Sequence, residues 1–231
     1  MEENFHLSAI GVAYCGGKQP FTFAALDERQ KVQALGTGKM RDALAYCSGA
    51  ARAVILCGLP LCRPASGNLR LVEIELERRG LPTYHTAAED QPHHPAAGFG
   101  ARFFAELSAL GYSSDPLNNP DRVLLESHPA AIFHHLLGLK PFDAHTLEGR
   151  LQRQLVLFER EMPIPDPMDF FEEVTRHKLL HGILPTRDVY SPAELDALAL
   201  AHTAWLFIND PQSLLILGDP AGGQILLPQP N

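Results

Sequence analysis

The first part of the chain alternates short apolar runs with turn residues, a pattern that predicts extended structure. Apolar runs cover 6–15 and 21–26, and the segment 16–20 between them is rich in turn-forming residues. A third run covers 31–35 and ends before two glycines. Because the three runs follow one another closely, they predict a β meander of antiparallel strands.

Beyond residue 40, helical periodicity alternates with strand-like runs. The run 53–57 is apolar throughout, and 122–126 has an apolar centre and ends on a carboxylate, so both are predicted to be buried strands. Amphipathic segments predict helices at 40–51, 68–79, 101–110, 130–137, 147–161, 167–181 and 192–207. The closing runs 214–220 and 225–228 predict a hairpin. This order predicts a mixed sheet with helices on both faces.

Composition is that of an ordinary folded protein. The chain has 231 residues, of which 45% are hydrophobic and 20% charged, and no linker-like stretch divides it, so we expect a single domain over 1–231. No apolar run reaches the length that a membrane span requires. The first residues carry acids where a secretory signal carries Lys or Arg, so we expect a cytoplasmic protein.

The charge balance bears on partners. Lys and Arg number 19 against 27 Asp and Glu, which gives a formal net charge of -8. Nucleic-acid binding depends on basic side chains that neutralise phosphates, so this balance disfavours nucleic acid as a partner. Lys140, Arg150 and Arg153 form a local basic group that could line a groove, although a solvated helix face is the simpler interpretation.

Neither cysteine nor histidine spacing predicts a metal site of its own. Cys57 and Cys62 are more widely spaced than the pair of a zinc knuckle, and no second pair exists, so free thiols are expected. His177 and His181 share one helix face, but Lys178 stands where a zinc protease has glutamate. We therefore interpret these histidines as a solvated or capping pair.

Several segments resemble, in order, the motifs of one known family. They are Gly11-Val12, Leu59-Pro60-Leu61 with Pro64, Glu126-Ser127-His128-Pro129-Ala130-Ala131, Asp196 to Ala201, and the closing 217–220 with Ile225 and Pro228. These segments are similar to those of domain of unknown function family 429, a set of predicted nucleases of ribonuclease-H-like fold. The resemblance implies an α/β domain with a mixed five-stranded central sheet and helices on both faces.

The resemblance also implies a site. Such folds carry acids on adjacent strands and on a late helix, where they hold one or two Mg²⁺ or Mn²⁺ ions that activate water for phosphodiester cleavage. Glu126 and Asp196 match two of these acids, and the resemblance predicts that they line the site. Ala13 and Gly58 stand where the family usually has aspartates. His128, two residues after Glu126, is the candidate substitute ligand.

These observations leave three hypotheses open. The first is a metal-dependent nuclease with weak or lost activity, because two carboxylates alone bind a hard cation poorly. The alternative is a non-catalytic binding protein that uses the same cleft for a small molecule, a nucleotide or a protein partner. A third is an enzyme of unrelated chemistry centred on Glu126, Ser127 and His128, although no nucleophile-elbow motif surrounds the serine.

Overall fold

A mixed β-sheet forms the centre of the protein in a computed structural model that describes residues 7–62, 69–84, 86, 95–220 and 222–230. Within these ranges the sheet has seven strands in the order β3-β2-β1-β4-β5-β7-β6. The strands are β1 (Ser8–Tyr14), β2 (Phe21–Leu26), β3 (Val32–Gly38), β4 (Ala53–Gly58), β5 (Arg122–Glu126), β6 (Leu214–Asp219) and β7 (Gly223–Pro228). The helices are α1 (Met40–Gly49), α2 (Leu71–Arg78), α3 (Pro95–Ala109), α4 (Pro129–Leu137), α5 (Leu147–Phe158), α6 (Asp169–Glu173), α7 (Arg176–Leu180) and α8 (Pro192–Asn209).

Strand pairing confirms the predicted meander, but the sheet contains more strands than the five expected. β1 pairs antiparallel with β2, and β2 pairs antiparallel with β3. β1, β4 and β5 run parallel to one another. The predicted C-terminal hairpin, β6 and β7, joins the same sheet because Ile225 of β7 pairs in parallel with Glu126 of β5. The sheet therefore has seven described strands rather than five.

Helices cover both faces of the sheet, as the sequence predicts. Along β1, Ile10 and Val12 belong to one apolar cluster and Ala9 and Ala13 to another, as expected from the alternation of side chains along a strand. The first cluster includes buried residues of α1 and α3, and the second includes those of α4, α5 and α8.

Helix α8 lies directly on the central strand β1, because β1 presents small residues to it. A Cβ atom placed on Gly11 would lie 2.1 Å from the carbonyl oxygen of Ala197 and 2.3 Å from the nitrogen of Ala201. Ser191 and Glu194 form the predicted capping box, which begins the helix at this point. The cap and the close contact together place Asp196, in the second turn of α8, at the carboxyl ends of the parallel strands.

Several predicted helices differ from those observed, among them the helix expected over 101–110, which begins earlier, at Pro95, and ends at Ala109. The segment 167–181 forms α6 and α7 rather than one helix, because Val174 and Thr175 adopt extended backbone angles and the Thr175 side chain caps α7 by accepting a hydrogen bond from the Lys178 amide. The helix expected over 68–79 is observed at Leu71–Arg78. Asn68, Pro64 and the histidine-containing stretch 87–94 lie outside the described residues. No helix in the described ranges has the length and apolarity that crossing a membrane requires.

Candidate functional site

The four positions that the family resemblance singles out lie at one edge of the sheet. Ala13 at the end of β1 is the register partner of Gly58 at the end of β4. Glu126 at the end of β5 pairs with Cys57, the residue before Gly58. A Cβ atom placed on Gly58 would lie 3.0 Å from Cδ1 of Leu200, which is one helical turn after Asp196. The carboxyl ends of three parallel strands and the start of α8 therefore meet here.

The Glu126 carboxylate is already fully engaged by protein groups. It is only 3% exposed, and its two oxygens each accept a 2.8 Å hydrogen bond from a different terminal nitrogen of Arg70. The backbone N–H of Leu61 donates a third bond to Oε2, at 2.9 Å. Burial raises the pKa of Glu126, and the Arg70 guanidinium opposes that rise. Such a fork-to-fork pair is the strongest way for arginine to hold a carboxylate.

Arg70 is itself part of a buried cluster. It is the residue before α2 and is 2% exposed. A second, fully buried carboxylate, that of Glu73, lies 3.4 Å from Nη2 of Arg70 and also accepts the backbone N–H of Thr86. Burial lowers the pKa of the Arg70 guanidinium, but the hydrogen bond and charge of Glu126, with smaller contributions from Cys62 and Glu73, raise it overall, so Arg70 stays charged. One buried cation thus neutralises the carboxylate that the resemblance assigns to metal binding.

Asp196 has a different environment. It is partly buried, and among the described residues its carboxylate accepts no hydrogen bond and forms no ion pair. Burial raises the pKa of Asp196 to about 7, while the charge of Arg153 on α5 lowers it. Arg70 therefore neutralises Glu126 by direct contact, whereas Arg153 offsets only part of the cost of charging Asp196, and does so at longer range.

Tyr84 packs beside the Glu126 segment, and sequence reasoning missed it. Its hydroxyl donates a 3.0 Å hydrogen bond to the carbonyl oxygen of Ser127, and its ring centroid lies 4.2 Å from that of His128. Burial raises the pKa of the Tyr84 phenol, and the charges of Glu126 and Asp196 raise it further. An isolated tyrosine gives no signal in the sequence, so only the fold reveals its place.

The Ser127 and His128 side chains have structural partners. The Ser127 hydroxyl is fully buried and donates to the carbonyl oxygen of Leu226. Nδ1 of His128 accepts a 3.2 Å hydrogen bond from the Ala131 amide and caps the start of α4. A buried serine committed to a backbone carbonyl is poorly placed to act as a nucleophile, which weighs against chemistry centred on these residues.

The residues at this edge do not fit the Mg²⁺ or Mn²⁺ ion that the resemblance implies. Hard cations need several oxygen ligands. Ala13 and Gly58 supply no side-chain oxygen, and the Glu126 carboxylate is occupied by Arg70 and Leu61. Across the described ranges, no group of three or more His, Cys, Asp and Glu side chains is arranged to hold a metal ion.

The histidine pair, the basic group and the cysteines each have their own partners or positions in the structure. His177 and His181 stack with ring centroids 4.3 Å apart, and Nδ1 of His181 lies 2.8 Å from the carbonyl oxygen of His177, as a capping pair would. Within the basic group, Arg150 donates to the carbonyl oxygens of Val189 and Tyr190. The other two members, Lys140 and Arg153, line a common cavity. The four cysteines are free thiols, as predicted.

Comparison with known proteins places the chain in a family. A family model described as "Protein of unknown function (DUF429)" matches residues 41–221, well over half of the chain. The chain belongs to this family. The DUF429 match includes β4, β5 and α8 and therefore both Glu126 and Asp196, whereas β1 with its Gly11-Val12 motif lies outside it. Neither the curated proteins nor the solved structures gave a significant match.

The raised pKa of Asp196 predicts an unusual dependence of stability on pH. Between 3.8, the ordinary pKa of an aspartate, and about 7, the pKa of Asp196 in the folded protein, the folded state binds a proton that the unfolded state lacks. The free energy of unfolding therefore falls as the pH rises through this range, and the whole cost is present above about pH 7. The full shift corresponds to about 4 kcal/mol, but Asp196 is only partly buried and solvent screens part of this cost. We therefore expect Asp196→Asn to be more stable than the wild type by about 2 kcal/mol near pH 8 and equal to it near pH 4, measured by urea unfolding.

The matched control is Asp188→Asn, because Asp188 is an exposed aspartate. It should show no pH-dependent gain. If Asp196→Asn loses stability at alkaline pH, the carboxylate is stabilised by contacts that this geometry does not contain.

Proposed function

We propose that this DUF429 chain is a ribonuclease-H-like protein, folded as a single domain over 1–231, in which metal-dependent phosphodiester cleavage has been lost. The carboxyl edge of its sheet then serves as a binding site for a small molecule, a nucleotide or a protein partner. One observation carries the proposal, namely the two-pronged hydrogen bonding of Arg70 to the buried carboxylate of Glu126.

The arginines supply the charge that metal ions would otherwise supply. In two-metal nuclease chemistry, cations gather several carboxylates and stabilise charge on the attacking and leaving oxygens. Here Arg70 occupies Glu126 at 2.8 Å, and Arg153 acts on Asp196. A cation entering beside Arg70 would have to displace a buried ion pair while gaining few oxygen ligands. The Glu126 carboxylate is thus neutralised without a metal ion.

The sheet supports the ribonuclease-H-like part of the proposal. The family resemblance implies a mixed sheet with helices on both faces, and the observed sheet combines an antiparallel β1-β2-β3 meander with the parallel strands β4 and β5. The candidate acids lie at the carboxyl edge of the parallel strands and on the late helix α8, where the resemblance expects them. The net charge of -8 favours a small ligand or protein over nucleic acid.

A thermal-shift measurement with Mn²⁺ and Mg²⁺ tests the loss of metal binding. A ligand that binds only the folded state raises the melting temperature once its concentration exceeds the dissociation constant. We expect no rise for the wild type at millimolar metal. Single-stranded and branched DNA incubated with the protein and either metal should show no cleavage above a protein-free blank.

Two variants make the result decisive. A rise with Mn²⁺ in the wild type that Asp196→Ala abolishes and Asp188→Ala retains would establish a working metal site and overturn the proposal. Cleavage that depends on Asp196 would do the same. A rise that is equal in all three proteins would differ from the expected result but would place metal binding elsewhere on the surface, and the cleavage assay would then decide whether activity is lost.

A further inference from the structure

The cavity that Lys140 and Arg153 line, away from the Glu126 carboxylate, combines apolar walls with basic groups. It has a volume of about 420 Å³ and lies between the end of α2, the outer side of α4, the segment after α4, and α5. Leu81, Pro82 and Phe142 contribute apolar surface, and His134, Lys140 and Arg153 contribute nitrogen atoms. The volume is in the range of ordinary small-molecule sites.

Arg153 is a buried cation that lacks an adjacent counter-charge. It is 7% exposed, and among the described residues no carboxylate lies within ion-pair distance of its guanidinium. Burial lowers the pKa of Arg153, and Asp196 and Asp143 raise it only through longer-range charge interaction. A buried charge is costly unless it is paired, so the protein maintains a cationic wall that a bound anion would neutralise.

The guanidinium of Arg153 also has N–H groups that other hydrogen bonds do not use. Nη1 donates to the carbonyl oxygens of Phe142 at 2.8 Å and Gly149 at 3.0 Å. These two bonds fix the orientation of the side chain beside the cavity. In the part of the chain that the structure describes, the N–H groups on Nε and Nη2 have no acceptor, although arginine is the residue best suited to bind oxyanions in a fork.

The remaining charges favour an anion. Lys140 is exposed at the rim and His134 is partly buried in the wall. Asp143, the one carboxylate in the described lining, is exposed, and its Oδ1 accepts the backbone N–H of His145 at 2.9 Å. The lining therefore carries two permanent positive charges against one negative charge, and the positive charge of Arg153 is the buried one.

We propose that this cavity binds a small organic anion, a phosphate or carboxylate group carried on a compact apolar body. Arg153 binds the oxyanion through Nε and Nη2, and Lys140 closes over it from the rim. Leu81, Pro82 and Phe142 contact the apolar body. The proposal goes beyond the loss of metal-dependent cleavage, because Arg70, Glu126 and Asp196 do not line the cavity. The cavity is linked to the candidate acids through the long-range charge interaction of Arg153 with Asp196.

Calorimetric titration with three probes of similar shape tests the proposal. Phenyl phosphate and benzoate present the two candidate oxyanions on the same ring, and benzyl alcohol presents the ring without charge. We expect at least one of the two anions to bind and the alcohol not to bind. The tighter of the two identifies the oxyanion that the cavity prefers. Inorganic phosphate should compete more weakly, since it lacks the apolar body.

Two lysine variants provide the matched comparison. Lys140→Gln removes an exposed rim charge without touching the core, and it should weaken binding of the preferred anion roughly tenfold. Lys31→Gln, an exposed lysine on the β2–β3 turn, does not line the cavity and should bind like the wild type. The proposal is overturned if neither anion binds, if benzyl alcohol binds as tightly, or if Lys140→Gln binds as the wild type does.

Discussion

Replacing Arg70 by methionine is expected to lower the free energy of unfolding by about 3–5 kcal/mol near neutral pH. The substitution removes the cation that the buried Glu126 carboxylate contacts through both oxygens, and it also removes the only cation that touches the buried Glu73 within the described residues. An uncompensated buried charge is among the most destabilising changes that a single residue can cause. Urea unfolding followed by circular dichroism measures the loss.

A surface ion pair provides the control for this experiment. Arg52 and Asp121 lie 2.7 Å apart, but their side chains are 42% and 52% exposed. Arg52→Met should therefore cost no more than about 1 kcal/mol. The double substitution Arg70→Met with Glu126→Leu should recover part of the loss, because it removes both charges together. If Arg70→Met costs as little as Arg52→Met, the pair does not neutralise a buried charge.

Replacing Gly11 by alanine should destabilise the protein by about 3 kcal/mol or more, although it adds a single methyl group. That group would lie 2.1 Å from the backbone oxygen of Ala197 and 2.3 Å from the backbone nitrogen of Ala201. Backbone atoms in the middle of α8 cannot rotate away as a flexible side chain can. The helix must therefore shift away from β1, which disrupts the packing of the buried apolar residues along α8.

Gly49 is the matched control for Gly11. It is the last residue of α1, and a Cβ atom placed there meets nothing within 4 Å. Gly49→Ala should be neutral or stabilising by about 0.5–1 kcal/mol, because alanine loses less backbone entropy on folding. Thermal unfolding of the two variants beside the wild type separates the effects. Equal melting temperatures for Gly11→Ala and Gly49→Ala would contradict the close approach of α8 to β1.

The sequence predicted most elements because local patterns specify them. β2 and β5 have the predicted bounds, and α8 begins at the predicted capping box. The strand count failed for a different reason: whether a hairpin joins a distant strand is a tertiary question, and the pairing of Ile225 with Glu126 spans nearly a hundred residues. The division of 167–181 into two helices failed because apolar periodicity continues through Thr175, where a side-chain cap restarts the helix.

The candidate site was only partly predictable. Motif resemblance singled out Glu126 and Asp196, but it could not reveal the arginine that neutralises Glu126, because Arg70 lies 56 residues earlier in the chain. Arg70 also directly precedes an ordinary amphipathic helix, so the local sequence does not indicate that its side chain is buried. By contrast, the capping role of His128 was within reach of the sequence, since a residue directly before a helix-starting proline occupies the cap position.

The contact between β1 and α8 has a consequence for how the protein is made. β1 ends at residue 14 and α8 ends at residue 209, so nearly two hundred residues are synthesised between the strand and the end of the helix that covers it. At a synthesis rate of roughly 5–20 residues per second, the apolar face of the sheet stays uncovered for on the order of tens of seconds before α8 is made. Truncated or stalled nascent chains of this protein should therefore be bound by chaperones on that face.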